Sequence, residues 1–187
     1  MKISTKGRYA LRLMLDIAMH DAAGPVRIKD VAARQEISDK YLEQIVSVLN
    51  KAGYVRSIRG PQGGYQLIRK PKDYTVGMIL RLTEGSLAPV GCLEYGENDC
   101  PRQEMCATLK LWKMLDESIK SVVDKVTLED LLEWQEEVRI GLCDLILFIY
   151  MRKQGVENVF DSLFFILLKL PIPEVAVRTT YCLLCRQ

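Results

Sequence analysis

A chain of 187 residues with 49% hydrophobic content can hold one ordinary core with an appendage or two small domains, and is too apolar for a disordered segment. Its net charge of +2 hides a segregation: residues 1–72 carry fourteen Lys or Arg against six Asp or Glu, residues 73–137 carry six against fourteen, and the last fifty carry six against four. A basic first third followed by an acidic middle is the electrostatic footprint of a nucleic-acid-binding head on a body that does not bind it.

The opening MKISTKGRYALRLMLDIAMH begins basic and runs apolar, but Arg12 and Asp16 interrupt the run and no small-residue cleavage site follows. A cytoplasmic chain without a secretory leader is therefore expected. Ser4 and Thr5 can cap a first helix, in which Ala10, Leu13, Met14, Ile17 and Ala18 recur at helical spacing, with Lys6, Arg8 and Arg12 near its start. His20, the only histidine, lies near its end, where it favours the helix dipole. AAGP at 22–25 ends the helix, and IKDVAARQ at 28–35 predicts a short second one.

After the turn at EIS, Ser38 or Asp39 can cap a third helix with an inward stripe of Leu42, Ile45, Val46 and Leu49. Its outer face carries Lys40, Glu43, Gln44, Ser47 and Lys51. A helix, a short turn and a helix with a long-armed polar face is the arrangement of a helix-turn-helix. YVRSIR and YQLIRK then read as strands joined by GPQGG, a hairpin wing. Directly after a helix-turn-helix such a wing is expected to touch DNA, with Arg59 placed to enter a narrow minor groove. The candidate DNA contacts are Lys6, Lys40, Tyr41, Glu43, Gln44, Arg59, Gly60, Gln62 and Gly63.

TVGMILRLTEG at 75–85 reads as a short helix leading to VGCLEYGENDCPRQEMC, which holds Cys92, Cys100 and Cys106 with seven and then five residues between them. In a reducing compartment clustered cysteines bind metal or do redox work more often than they form disulfides. Structural zinc sites use close pairs, whereas gaps this long suit a loop wrapped around a larger cluster. Unliganded thiols remain the alternative. Trp112, Leu115, Ile119, Val122 and Val126 repeat at three and four residues through an expected helix over 108–126, a seam fitted to a second copy of the chain.

Thr127, three residues before Asp130, can cap one more helix. Beyond it, GLCDLILFIYM and VFDSLFFILLKL are apolar runs broken by Asp144, Asp161 and Lys169, too short to span a bilayer, and are expected to be buried or interfacial. Cys182 and Cys185 form C-L-L-C, a metal-binding spacing that lacks a second pair. With no Ser-His-Asp arrangement, phosphate-binding glycine loop or paired carboxylates in a recognisable cleft, an enzyme of the common classes is not expected.

MKISTKGRYALRLMLDIA, VAARQEISDKYLEQIVSVLNKAGYV, RGPQGGYQL, the cysteine loop followed by LW, and VTLEDLL together resemble the Rrf family of bacterial winged-helix transcriptional regulators, in its IscR-like branch. The resemblance covers residues 1–135. It implies a homodimeric, operator-binding regulator, mainly α with a small β wing and a long dimerisation helix. Cys92, Cys100 and Cys106 would ligate an iron-sulfur cluster, of the 2Fe-2S type or alternatively 4Fe-4S. In that branch a histidine three residues after the third cysteine completes the ligands; here Leu109 stands there. Nitric-oxide-sensing relatives take an acidic ligand from the partner's first helix, where this chain has Arg8. The fourth position thus stays open among Glu94, Glu97, Asp99, Glu104, a group from the partner and an exogenous small molecule.

The expected organisation is a winged helix-turn-helix domain over 1–72, a cysteine loop and dimerisation helix over 73–137, and an apolar extension over 138–187. Two other readings stand beside the cluster-sensing regulator. One is the same fold sensing by thiol oxidation or zinc; the other is a small redox protein whose basic head binds an acidic protein.

Overall fold

A computed structural model describes residues 2–94 and 100–153, with side-chain detail through residue 141. By internal contact the chain divides into a unit of residues 1–132 and a unit of residues 133–187. The first unit contains the head. Helix α1 (Thr5–His20) starts where Ser4 accepts hydrogen bonds from the backbone N–H groups of Lys6 and Gly7 at 3.1 and 3.3 Å, relieving two of the donors a helix start leaves unpaired. Its buried face is Ala10, Leu13, Met14 and Ile17, with Ala18 half-buried.

Helix α2 (Ile28–Gln35) buries Ile28, Val31 and Ala32 and ends at Glu36, which adopts a left-handed backbone, φ 55° and ψ 44°. Ile37 is buried next to it and donates its N–H to the Ala32 carbonyl at 3.1 Å, closing the tight turn. Helix α3 (Asp39–Lys51) then buries the expected Leu42, Ile45, Val46 and Leu49. Ser38 stands at its cap position, but its side chain makes no capping bond; Asp39 in the first turn favours the helix dipole instead.

Glu36 carries the only non-glycine positive φ among the described residues. A left-handed backbone is costly for a residue with a Cβ. Glu36 is exposed, so its side chain contributes little burial in return. Glu36→Gly should therefore raise the unfolding free energy by about 1 kcal/mol. Denaturant titration checks this, and a loss of stability would show that the glutamate side chain makes a contribution of its own.

Strands β1 (Val55–Ile58) and β2 (Gly64–Leu67) pair antiparallel, with Val55 opposite Leu67 and Ile58 opposite Gly64. Val26 adds a bridge to Tyr65. A Cβ on Gly64 would lie 2.5 Å from the Val26 carbonyl oxygen, so the bridge requires glycine there. The hairpin base is held by Tyr74, which is fully buried. Its hydroxyl donates to the Tyr54 carbonyl at 2.7 Å and accepts from the N–H groups of Arg69 and Ile68 at 2.9 and 3.2 Å.

Helix α4 (Val76–Glu84) is capped by Thr75, whose hydroxyl accepts from the Met78 N–H. It ends at Gly85, φ 82°. Two 3-10 turns, Gly91–Leu93 and Gln103–Met105, lie in the cysteine segment. Helix α5 spans Leu109–Val123, three residues short of the expected end at 126. The seam's last member, Val126, therefore lies beyond the helix, where its carbonyl accepts from the Val76 N–H at 2.9 Å. Thr127 and Asp130 form the expected reciprocal cap, at 2.7 and 3.2 Å, for helix α6 (Leu128–Lys153).

Helix α6 runs unbroken across the composition change at 137–138 and carries the backbone of the first apolar run as far as Lys153. Among the described residues no helix is long and apolar enough to cross a membrane. The second apolar run, the side chain of Cys143, and Cys182 and Cys185 lie outside the described part. The core joins α1, α2, α3, the wing and α4 around Leu13, Ile17, Leu42, Ile45, Val55, Tyr74 and Ile79, and it includes Leu128 from the start of α6.

Candidate functional site

The side of α3 opposite its buried stripe presents Lys40, Glu43 and Gln44, all exposed. Tyr41 is half-buried because its ring meets Tyr9 of α1 edge to face, 5.8 Å between centroids. Arg59, Gly60 and Gln62 are exposed at the wing tip, and Gly63 closes the turn with its N–H on the Gly60 carbonyl at 2.9 Å. Glycine is required at 63 because a Cβ would stand 2.3 Å from the Ile58 carbonyl oxygen. Lys6 is half-buried in the first turn of α1. His20 is in the last turn, as the dipole argument expects, and its Nδ1 lies 2.8 Å from the Asp16 carbonyl oxygen.

Gln and Lys can pair with adenine and guanine, while a carboxylate at a base edge is tolerated chiefly where it accepts from cytosine N4. Glu43→Ala should accordingly keep or raise DNA affinity and admit sites the parent rejects. An unchanged preference in a binding selection would remove Glu43 from the base-reading face. Arg59→Ala should weaken binding to all sequences and lower the salt slope by about 0.9, the value for one phosphate contact.

Cys92 lies in the first 3-10 turn, and Cys106 directly follows the second. Cys92, Cys100 and Cys106 are each half-buried. Cys106 sits three residues before α5, its Sγ 3.4 Å from the Thr108 hydroxyl. That hydroxyl, the N–H groups of Leu109 and Thr108, and the charge of Arg102 hold the Cys106 thiol below its ordinary pKa. A helix start is a setting that favours thiolate. Three sulfurs in one segment, one of them with its thiol pKa lowered, suit an iron-sulfur cluster or zinc by donor type. The segment does not gather them into a closed cage: among the described residues no three His, Cys, Asp or Glu side chains converge as a metal site. Glu94 and Glu104 are exposed, while Glu97 and Asp99 lie outside the described part.

The start of the cysteine segment borders both neighbouring helices. Leu93 and Glu94 line one open cleft with Arg81 and Glu84 of α4 and Asp116 and Lys120 of α5. Glu84 also accepts from the Ser4 hydroxyl at 2.6 Å and the Gly7 N–H at 3.0 Å, fastening the end of α4 to the start of α1. Gly7 makes room for this, since a Cβ there would stand 2.3 Å from the Glu84 carboxylate. Arg81 meets Asp124 through two bonds of 2.6 and 2.8 Å and lowers its carboxyl pKa. Gly77 leaves the space for that pair.

On α5, Leu115 and Val122 of the predicted seam are exposed, and Trp112 and Ile119 are half-buried. Leu111 and Met114 are also exposed, widening the apolar face beyond the seam. Sequence reasoning passed over these two because a single three-and-four spacing was followed; counting every apolar position in LKLWKMLDESIKSVV finds them. It also passed over the charged network around Asp16, because Asp16 reads only as a break in an apolar run.

Residues 3–134 match the Rrf2 family, described as an iron-dependent transcriptional regulator. The protein rrf2 of Nitratidesulfovibrio vulgaris is 46% identical over 133 residues, 71% of this chain and 87% of the relative. The HTH-type transcriptional regulator IscR of Aliivibrio salmonicida is 43% identical over 132 residues, 71% of this chain and 77% of the relative. Among solved structures, CymR, the global cysteine regulator of B. subtilis, superposes with a TM-score of 0.63 at 42% identity, over 72% of this chain and 98% of that one. These relatives are transcriptional regulators and not enzymes, and the helices with their two-stranded wing are the winged-helix fold they share. The chain belongs to the Rrf2 family of transcriptional regulators.

Proposed function

We propose that this regulator binds a palindromic operator as a homodimer in the cytoplasm, and that an iron-sulfur cluster held by Cys92, Cys100 and Cys106 sets its activity. The cluster is assigned as 2Fe-2S, with 4Fe-4S as the alternative, and the targets are genes of iron-sulfur or related redox metabolism. One observation carries the reading: Cys106, its thiol pKa lowered, lies three residues before α5, the helix with the exposed apolar face, in the same segment as two further half-buried cysteines. The likeness to IscR and the family's iron-dependent description support it.

When bound, the cluster supplies a centre sensitive to oxygen, nitric oxide and iron supply. The chain's own part is to hold the segment ahead of α5 in one arrangement through three thiolates and to release it when they are freed. Lys40, Tyr41, Glu43 and Gln44 on α3 and Arg59, Gly60, Gln62 and Gly63 on the wing form the DNA-reading surface, with Lys6 near the backbone. Trp112, Leu115, Ile119 and Val122 form the dimer face, together with Val126 just past the end of α5. The organisation is a head over 1–72, the cysteine segment and dimer helix over 73–137, and an extension over 138–187.

A second reading has the same cysteines sense by thiol oxidation or zinc. The lowered Cys106 pKa and the likeness to a global cysteine regulator favour it. Anaerobic purification with a visible spectrum and analysis for iron, sulfide and zinc separates the two. Brown protein with iron and sulfide, binding a selected palindromic duplex in a salt-dependent way, is the expected result. Colourless protein with stoichiometric zinc, or metal-free protein that leaves DNA on oxidation, establishes the second reading. Failure to select any sequence overturns both.

A further inference from the structure

Asp16 of α1 is a carboxylate whose side chain is only 2% exposed. Arg34, in the last turn of α2, donates to it from both Nε and Nη2, and the Gln35 side-chain amide donates to its Oδ2 at 2.9 Å. The Gln35 amide oxygen in turn accepts from Arg12 Nε at 2.8 Å, and Arg12 Nη2 reaches the Gln35 carbonyl at 2.7 Å. The Arg12 guanidinium lies over the Tyr9 ring, 5.6 Å from its centroid, and Tyr9 meets Tyr41 of α3 edge to face. An unbroken set of contacts therefore runs from a buried carboxylate to the first turn of the recognition helix.

The network grips the two residues that precede the left-handed Glu36. That residue is followed by buried Ile37, so the strained turn between α2 and α3 is fixed on both sides. An ion pair with its carboxylate buried and its arginine partly exposed contributes little net stability, because taking the carboxylate out of water offsets much of the attraction. What it does impose is geometry. The arginine fork accepts one approach of the carboxylate plane, and Gln35 satisfies the oxygen on its other side.

We propose that Asp16, Arg34, Gln35 and Arg12 are positioning residues for sequence-specific DNA recognition. The network sets the angle at which α3 is presented, through the α2–α3 turn and through the Tyr9–Tyr41 contact. It rests on the DNA-binding role of the family. It adds a layer apart from the base-reading side chains of α3, at residues that join α1 to the end of α2. Loosening the network should broaden the orientations of α3 while leaving every phosphate-contacting charge in place. Specific affinity then falls and non-specific affinity does not.

The test uses the full chain, a palindromic duplex recovered by selection with the parent protein, and a scrambled duplex of equal length. Gln35→Met keeps the length of the side chain and removes its hydrogen bonds. It should lower affinity for the selected duplex about tenfold, a coupling of ordinary size, with affinity for the scrambled duplex and the salt slope both unchanged. Arg34→Lys keeps the charge, removes the fork and should give the same pattern; it decides the matter if Gln35→Met folds poorly. A parallel fall on both duplexes, a changed salt slope, or an unchanged ratio with only a lower melting temperature would overturn the proposal. A parent protein that selects no sequence would instead remove the DNA-binding reading on which it rests.

Discussion

Cys92→Ala, Cys100→Ala and Cys106→Ala should each abolish the visible absorption of anaerobically purified protein, while Cys143→Ala, Cys182→Ala and Cys185→Ala leave it intact. Three thiolates with one weaker partner have no sulfur to spare, so loss of any one leaves two strong ligands, too few to retain iron and sulfide. The fourth position gives a second arm. Leu109 opens α5 and has no donor atom, so Leu109→His should slow bleaching in air if an imidazole at that place completes the ligand set. A cluster that survives loss of any one of the three cysteines, or zinc in stoichiometric amount, would refute the assignment.

Removing the Tyr74 side chain is expected to have the largest effect on stability. Tyr74→Ala should lower the unfolding free energy by about 4 kcal/mol, the usual cost of deleting a fully buried aromatic ring. Tyr74→Phe keeps the ring and its edge-to-face packing with Tyr54, 5.7 Å between centroids. It takes its partner from the Arg69 N–H, while the Ile68 N–H and the Tyr54 carbonyl keep only their mutual bond of 3.3 Å, at a cost of about 1 kcal/mol. These three groups are the two ends of the wing, so Tyr74→Phe should also weaken operator binding at temperatures where the fold persists. Equal stability of the phenylalanine variant and the parent in a denaturant titration would show that water replaces the hydroxyl at no cost.

The three head helices and the wing were legible because each carries its own local signal: an apolar stripe at helical spacing, or a glycine turn between two alternating runs. The end of α5 was not. Val126 continues the spacing past Asp124 and Lys125, yet its backbone is engaged by Val76, a partner fifty residues away that no periodicity records. Asp16 reads in the sequence only as a charge interrupting an apolar run. Its role depends on Arg34 and Gln35, eighteen and nineteen residues on, which meet it only once α2 has folded back on α1. The cysteines were legible by type and spacing, but a ligand set is a convergence in space, and sequence holds no coordinate for it.

The burial of Leu128 within the head's core has a consequence for synthesis on the ribosome. Residues 1–72 emerge first, but the core they build includes a side chain from the start of α6, and the backbone of Tyr74 pairs with Leu128 at 2.8 Å. At translation speeds of about 5–20 residues per second, the nascent head waits several seconds for that side chain to leave the exit tunnel. All three loop cysteines are already outside by then, so they reach solvent before the DNA-binding fold has closed.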